Sequence, residues 1–240
     1  AMEIAAKVGV RNVHAFDVTS ACAGQLEALH IASAYFSMYE HVQNALVVSA
    51  ELTRDWLNYD IQSVDELAHK AAGLTIGNAA SAWLIRREPF EGGCIHPLTF
   101  ANQSLPEHWH LCSAPIDGTF TSLSTELFRL NVHVPPVLRR VIHSVGWDVT
   151  DVDHFVFHQP SDHMVEKVLT NLEVDPDRGL KTHSLYGNTV STTVSLTMNE
   201  LLKQKQLEQD DKLVLSTAAA GFSMVTIAGE WVGGEAGGGV

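Results

Sequence analysis

Apolar residues in this chain come in short unbroken runs, separated by stretches with helical spacing. Val13 to Val18 read as a short buried strand. Leu26, Leu29, Ser33 and Phe36 then recur every three or four residues, which predicts a helix over about 23–39. Residues 45–50 (Ala-Leu-Val-Val-Ser-Ala) form a continuous apolar run, the mark of a strand buried on both faces. A second strand-like run covers 74–85, broken by Gly77-Asn78, after a polar, irregular stretch from 51 to 69 that predicts loop with some helix. Ahead of all these, 1–8 reads as the end of a helix closed by Gly9.

From 86 to 121 the periodicity is lost and prolines 89, 97, 106 and 115 with Gly92, Gly93 and Gly118 mark turns, so 89–122 is expected to be a lid or linker. A second series follows. Residues 123–145 are helical in pattern, with Pro135-Pro136 kinking or dividing the helix. The strand 154–157 runs into His158-Gln159-Pro160, and Ser161 or Asp162 can cap the next helix. A short strand is expected at 180–186, a helix at about 190–205, and two strands at 212–216 and 223–231. Strands alternating with helices predict an α/β protein with a mostly parallel sheet. The expected division is a first half over 1–88, the lid region, a second half of similar make over 123–231, and a Gly-rich tail over 232–240, read as a disordered end.

Cys22 falls where the first strand turns into a helix, among the small residues Ser20, Ala21, Ala23 and Gly24. The N–H groups and dipole at a helix start are expected to draw its thiol from about 8.5 toward the thiolate. His158 and Asn188 occupy the same kind of position, each after a short apolar run and before a helix. A nucleophile, a base or polariser and a hydrogen-bond donor are the parts acyl transfer needs.

Composition removes other classes. The net charge of −13 disfavours nucleic acid and anionic membrane surfaces as partners. No apolar run reaches the length of a membrane span, and the start has no signal-peptide pattern. Three cysteines (Cys22, Cys94, Cys112) make neither a disulfide framework nor a zinc motif, which points to a cytoplasmic setting. The thirteen histidines include clusters at 154–163 and 108–110, but these lack carboxylates at ligand spacing, so no metal is expected.

Four segments carry a family resemblance: Phe16-Asp17-Val18-Thr19-Ser20-Ala21-Cys22-Ala23-Gly24, Val156-Phe157-His158-Gln159-Pro160, Tyr186-Gly187-Asn188-Thr189-Val190-Ser191 and Ala220-Gly221-Phe222-Ser223. In this order they resemble the ketoacyl synthase III group of the thiolase superfamily. The resemblance implies a layered α-β-α-β-α thiolase-like fold of two similar halves, the first incomplete in this chain. It implies Cys22 as nucleophile, with His158 and Asn188 facing it. It also implies an oxyanion hole from the N–H groups of Cys22 and Gly221, with Phe222 and Ser161 in the substrate-binding set. The implied reaction is decarboxylative condensation of an acyl-Cys with a malonyl-type thioester. The substrates would be coenzyme A or acyl carrier protein thioesters, with no further cofactor, in a homodimer joined along the segment before Cys22. Acyl transfer to a hydroxyl or amine, and a non-catalytic partner subunit of a heteromeric synthase, are the alternatives; a zinc-binding module built on the histidines belongs to a further class.

This sequence departs from the family pattern at Pro160, Ser161 and His163, where Ala, Asn and an Arg that docks carrier protein are usual. Arg139, Arg140 and Lys167 are the basic residues that could replace that Arg. It also departs at Gly77-Asn78-Ala79-Ala80-Ser81, where the family has Gly-Asp-Gly-Ala-Gly. These departures suggest a secondary-metabolism relative. The family's opening strand–helix–strand has no counterpart before residue 1, and it is expected elsewhere in the same polypeptide or in another chain.

Overall fold

The computed structural model describes residues 1–53, 57, 59–88, 90, 92–115 and 120–233. The expected tail lies, from 234 onward, outside the described residues, as do Pro89 and Gly118. In chain order the elements are α1 (Met2–Lys7), α2 (Gly24–Met38), β1 (Asn44–Glu51), α3 (Val64–Lys70), β2 (Ala79–Arg86), β3 (Cys94–Ser104), β4 (Cys112–Ser113), β5 (Thr121–Ser122), α4 (Ser124–Arg129), α5 (Val134–Ser144), β6 (His154–Phe157), α6 (Asp162–Leu172), α7 (His183–Tyr186), α8 (Thr193–Lys203), β7 (Lys212–Ala219) and β8 (Ser223–Val232).

The layers follow from which faces are apolar. Strands β6, β7, β8 and β3 form one sheet in the order β3-β8-β7-β6. Its one face buries Phe155, Val214, Met224 and Ala228 against Val137, Leu138, Val141 and Ile142 of α5 and Val165, Val168 and Leu169 of α6. Its other face buries Leu213, Leu215, Val225 and Ile227 against Leu26 and Leu29 of α2 and Val194, Met198 and Leu201 of α8. Those two helices are covered in turn by Val47 of β1, with Ala45, Trp83 and Ile85 of the β1–β2 pair packed against the same cluster. The order through the molecule is therefore sheet, helices, sheet, helices, which accounts for four layers of the expected five. The outer face of the β1–β2 pair carries Leu46 opposite Leu84 and Val48 opposite Ala82, and Leu46, Val48 and Leu84 are exposed.

Several expectations need correction. The strand pairs are mostly antiparallel: β1–β2, β3–β8, β4–β5 and β7–β8, with β6–β7 parallel. The tight turn 220–222 forces β7 and β8 into a hairpin, which alternation of elements does not reveal. Residues 13–18 lie in no strand, with Val13 and Phe16 exposed, and no described segment pairs with them. The region 89–122 is not structureless. It contains β3, which pairs along β8 with a register shift at Pro97/Thr99. The proline is accommodated because β3 is an edge strand. Pro135 and Pro136 stand in the first turn of α5 and divide the expected long helix into α4 and α5. That is where proline's missing N–H costs nothing.

Candidate active site

Cys22 sits on a one-turn 3-10 helix, Ala21–Ala23, that leads into α2. Ala21 before it has φ 44, a strained backbone for a residue with a side chain. Placing the sulfur at the entry to a helix agrees with the sequence reading; its charge state does not. Burial pushes the Cys22 thiol up to about 12, with Cys112 and the Glu51 carboxylate adding to the rise. The backbone N–H groups of Cys22 and Ala220 pull the other way and are outweighed. Desolvation in an apolar cavity thus beats the helix-start effect, and the resting residue is a thiol. Cys112, the first residue of β4, is likewise raised, to about 11, by burial.

His158 follows the last residue of β6, and its backbone N–H continues the parallel ladder to Ser216 O at 2.9 Å. The ring is buried, with Nδ1 3.3 Å from Thr193 Oγ1. Desolvation, reinforced by neighbouring His183, lowers its pKa to about 4 against the pull of a hydrogen bond with the Val190 backbone. The imidazole is neutral at pH 7. The next residue, Gln159, is fully buried and acts as a brace. Its amide donates to Leu180 O (2.8 Å) and Thr197 Oγ1 (3.2 Å), and its Oε1 accepts from the N–H groups of Thr182 (2.7 Å) and His183 (3.2 Å). These bonds hold 180–183 without a strand. The expected strand at 180–186 is instead irregular chain over 180–182 followed by the short helix α7.

Asn188 is locked between two backbone bonds, from its N–H to Thr75 O (2.8 Å) and from the Gly77 N–H to its own carbonyl (2.9 Å). Its side-chain Oδ1 accepts from the Val190 N–H at 2.9 Å. That bond turns the carboxamide oxygen toward the backbone, and among the described residues no hydrogen bond takes up the NH2. Val190 pays with φ 53, a left-handed backbone that a β-branched residue rarely adopts. The glycines flanking this junction are sterically required. A Cβ on Gly187 would stand 2.4 Å from Thr75 O, and one on Gly77 would stand 2.1 Å from Tyr186 O. Glu51, at the end of β1, ties the first half to the same loop by accepting from the Ser191 N–H (3.3 Å) and hydroxyl. Asn78, which stands where the resemblance has Asp, accepts from the N–H (2.8 Å) and hydroxyl (3.0 Å) of Thr53.

These segments close around one cavity of about 700 Å³, lined by Cys22, His158, Asn188, Ser161, Gly221 and Phe222 together. All six residues singled out from the sequence share it. Gly221 has φ 104 in the β7–β8 turn, and Phe222 is buried. Ser161 is the cap of α6, its Oγ accepting from the Met164 N–H at 3.2 Å. Sequence reasoning missed Cys112, Trp109, Asn131 and Met164, which line the same cavity. Arg139 and Arg140 bond within the fold, to Leu172 O and Gln103 Oε1, while Lys167 is exposed. Among the described residues no group of three or more His, Cys, Asp or Glu could hold a metal, and no helix is long and apolar enough to cross a membrane.

Two family descriptions match this arrangement of elements: "3-Oxoacyl-[acyl-carrier-protein (ACP)] synthase III" over residues 16–103 and its "C terminal" counterpart over 142–231. The first contains Cys22; the second contains His158, Asn188 and Gly221. The chain belongs to the 3-oxoacyl-[acyl-carrier-protein] synthase III family. Among its relatives are the beta-ketoacyl-[acyl-carrier-protein] synthase III of Synechococcus elongatus, 28% identical over 93% of this chain and 68% of the relative. That of Porphyra umbilicalis is 24% identical over 96% and 72%. Among solved structures, the synthase III of Pseudomonas aeruginosa superposes with a TM-score of 0.85 at 23% identity, covering 96% of this chain and 71% of that one. OleA of Xanthomonas campestris gives 0.86 at 21% identity, covering 96% and 70%. The overall fold of this chain is that of these solved structures.

Proposed function

We propose that this protein is an acyltransferase that loads an acyl group from a thioester onto Cys22 and condenses it, with loss of carbon dioxide, with a malonyl-type thioester. The observation that carries this reading is the single cavity lined by Cys22, by His158 with its neutral imidazole, and by Asn188, whose Oδ1 is hydrogen-bonded to the backbone. Cys22 rests as a thiol, so attack on the thioester carbonyl requires a base. The uncharged His158 ring is able to accept that proton as the sulfur adds. The donor's thiolate leaves, takes up the proton, and acyl-Cys22 remains.

The malonyl-type thioester then enters with its thioester oxygen toward His158 and the Asn188 NH2. Loss of carbon dioxide leaves an enolate whose charge those donors stabilise. The enolate carbon attacks acyl-Cys22, the N–H groups of Cys22 and Gly221 hold the new oxyanion, and its collapse expels the Cys22 thiolate, which takes a proton from water, with release of a 3-oxoacyl thioester. Coenzyme A or acyl carrier protein delivers both thioesters, and the product belongs to fatty-acid synthesis or a related secondary pathway. In this reading the protein is a cytoplasmic homodimer in which residues 13–18, which lie in no strand, meet their copy. Intact mass after incubation with an acyl thioester, with and without a malonyl thioester, tests the scheme. The expected result is an acyl adduct on Cys22 that disappears when malonyl thioester is added, with release of the 3-oxoacyl product.

A further inference from the structure

We infer that Asn131 is a substrate-recognition residue of the Cys22 cavity, holding an amide of the arm that carries the thioester. The inference rests on the proposed function and deepens it. Asn131 lies in the 3-10 turn Leu130–His133 between α4 and α5, is 4% exposed, and lines the cavity. Leu127, Phe128, Val134, Val165 and Val168 line the same cavity. A carboxamide brings two donor hydrogens and an acceptor oxygen. Among the described residues, the partner of this side chain is the sulfur of Met164, 2.8 Å from Nδ2. A thioether is a weak acceptor, so most of the hydrogen-bonding capacity is unspent. An amide held without a strong partner in an apolar wall costs stability, and a leucine of similar size would avoid that cost. The polar group therefore fits an occupant of the cavity rather than the fold.

The chemistry of that occupant follows from what is missing. One donor hydrogen and the carbonyl oxygen of Asn131 match the C=O and N–H of a secondary amide. A hydrocarbon acyl chain has no such group. The arm common to coenzyme A and carrier-protein thioesters has two, on the sulfur side of the reacting carbonyl. Met164 belongs to the first turn of α6, directly after Pro160 and Ser161 in the wall that begins at His158. Asn131 thus lines the cavity against the first turn of α6.

The test compares acylation of Cys22 by an acyl-pantetheine, which keeps both amides, with acylation by the matching thioester of a straight-chain alkanethiol, which has none. Asn131→Leu should lower kcat/KM for acyl-pantetheine about tenfold, the worth of one hydrogen bond. It should leave the alkanethiol ester unchanged and the melting temperature no lower. Asn131→Ala, read in the same way, covers the case in which leucine does not fit. Equal losses on both thioesters, or no loss on acyl-pantetheine, overturn the inference while the proposed function stands. If the parent protein gains no acyl mass from either thioester, the proposed function fails and this assignment fails with it.

Discussion

Asn188 Oδ1 accepts the backbone N–H of Val190 at 2.9 Å, and this bond orients the carboxamide with its oxygen toward the backbone. Val190 keeps that position with a left-handed backbone, so local strain helps hold the carboxamide in this orientation. Asn188 lines the same cavity as His158 and Cys22. Asn188→Ala should therefore lower condensation by about 100- to 1,000-fold while leaving acylation of Cys22 within about tenfold of the parent. Rapid-quench mass spectrometry of the acyl-enzyme, with and without malonyl thioester, separates the two half-reactions. Equal losses in both would remove Asn188 from the donor role.

The thiol state of Cys22 sets a second outcome. With its pKa pushed up to about 12, alkylation by iodoacetamide should be slow at pH 7 and rise steadily with pH beyond 9. A plateau at neutral pH would mean a preformed thiolate–imidazolium pair instead. Mapping the carbamidomethyl group by peptide mass distinguishes Cys22 from Cys94 and Cys112.

His158 should make the fold acid-sensitive. Its folded pKa, about 4, lies below the usual 6.5, so the unfolded chain binds the proton first as pH falls. Stability from this group is complete above about pH 6.5 and is lost between there and about pH 4. By pH 5 the loss is about 2 kcal/mol. Urea unfolding at pH 7 and pH 5 should show that difference in the parent and a smaller one in His158→Gln. The same dependence in both proteins would assign the acid sensitivity elsewhere.

The Gly77–Gly187 junction holds Asn188 in place, and it should not tolerate a methyl group. Gly187→Ala combines φ 71 with a Cβ 2.4 Å from Thr75 O, and it should cost about 3 kcal/mol or more in denaturant unfolding. Gly221→Ala also has a positive φ but meets nothing within 4 Å, so the smaller cost of about 1–2 kcal/mol is expected there. A Gly187→Ala protein as stable as Gly221→Ala would show that the close approach is not maintained in solution.

Elements whose apolar residues recur cleanly were legible in the sequence, among them α2, α6, β1, β6 and β7. Those that depend on distant partners were not. Residues 13–18 look like a strand but have no described neighbour to pair with, and 180–182 fail to form one because Gln159 takes the N–H groups of Thr182 and His183. The strand β3 was hidden by Pro97, which only an edge position with a register shift admits. The cavity residues Cys22, His158, Asn188, Ser161, Gly221 and Phe222 were found through short segments whose residue types match a chemistry. Asn131, Cys112 and Glu51 carry no such local pattern. Their place at the site comes from packing between segments far apart in the chain. The charge state of Cys22 was misjudged for the same reason, since a helix start is visible in sequence and an apolar cavity is not.

Whether Cys22, His158 and Asn188 act as one centre is tested most directly by intact mass of the parent and of Cys22→Ala after exposure to an acyl-coenzyme A. The account predicts one acyl group on the parent, none on the variant, and release of a 3-oxoacyl thioester from the loaded parent on adding malonyl-coenzyme A. An acyl adduct that persists in Cys22→Ala, or a loaded Cys22 that malonyl-coenzyme A never discharges, would contradict it.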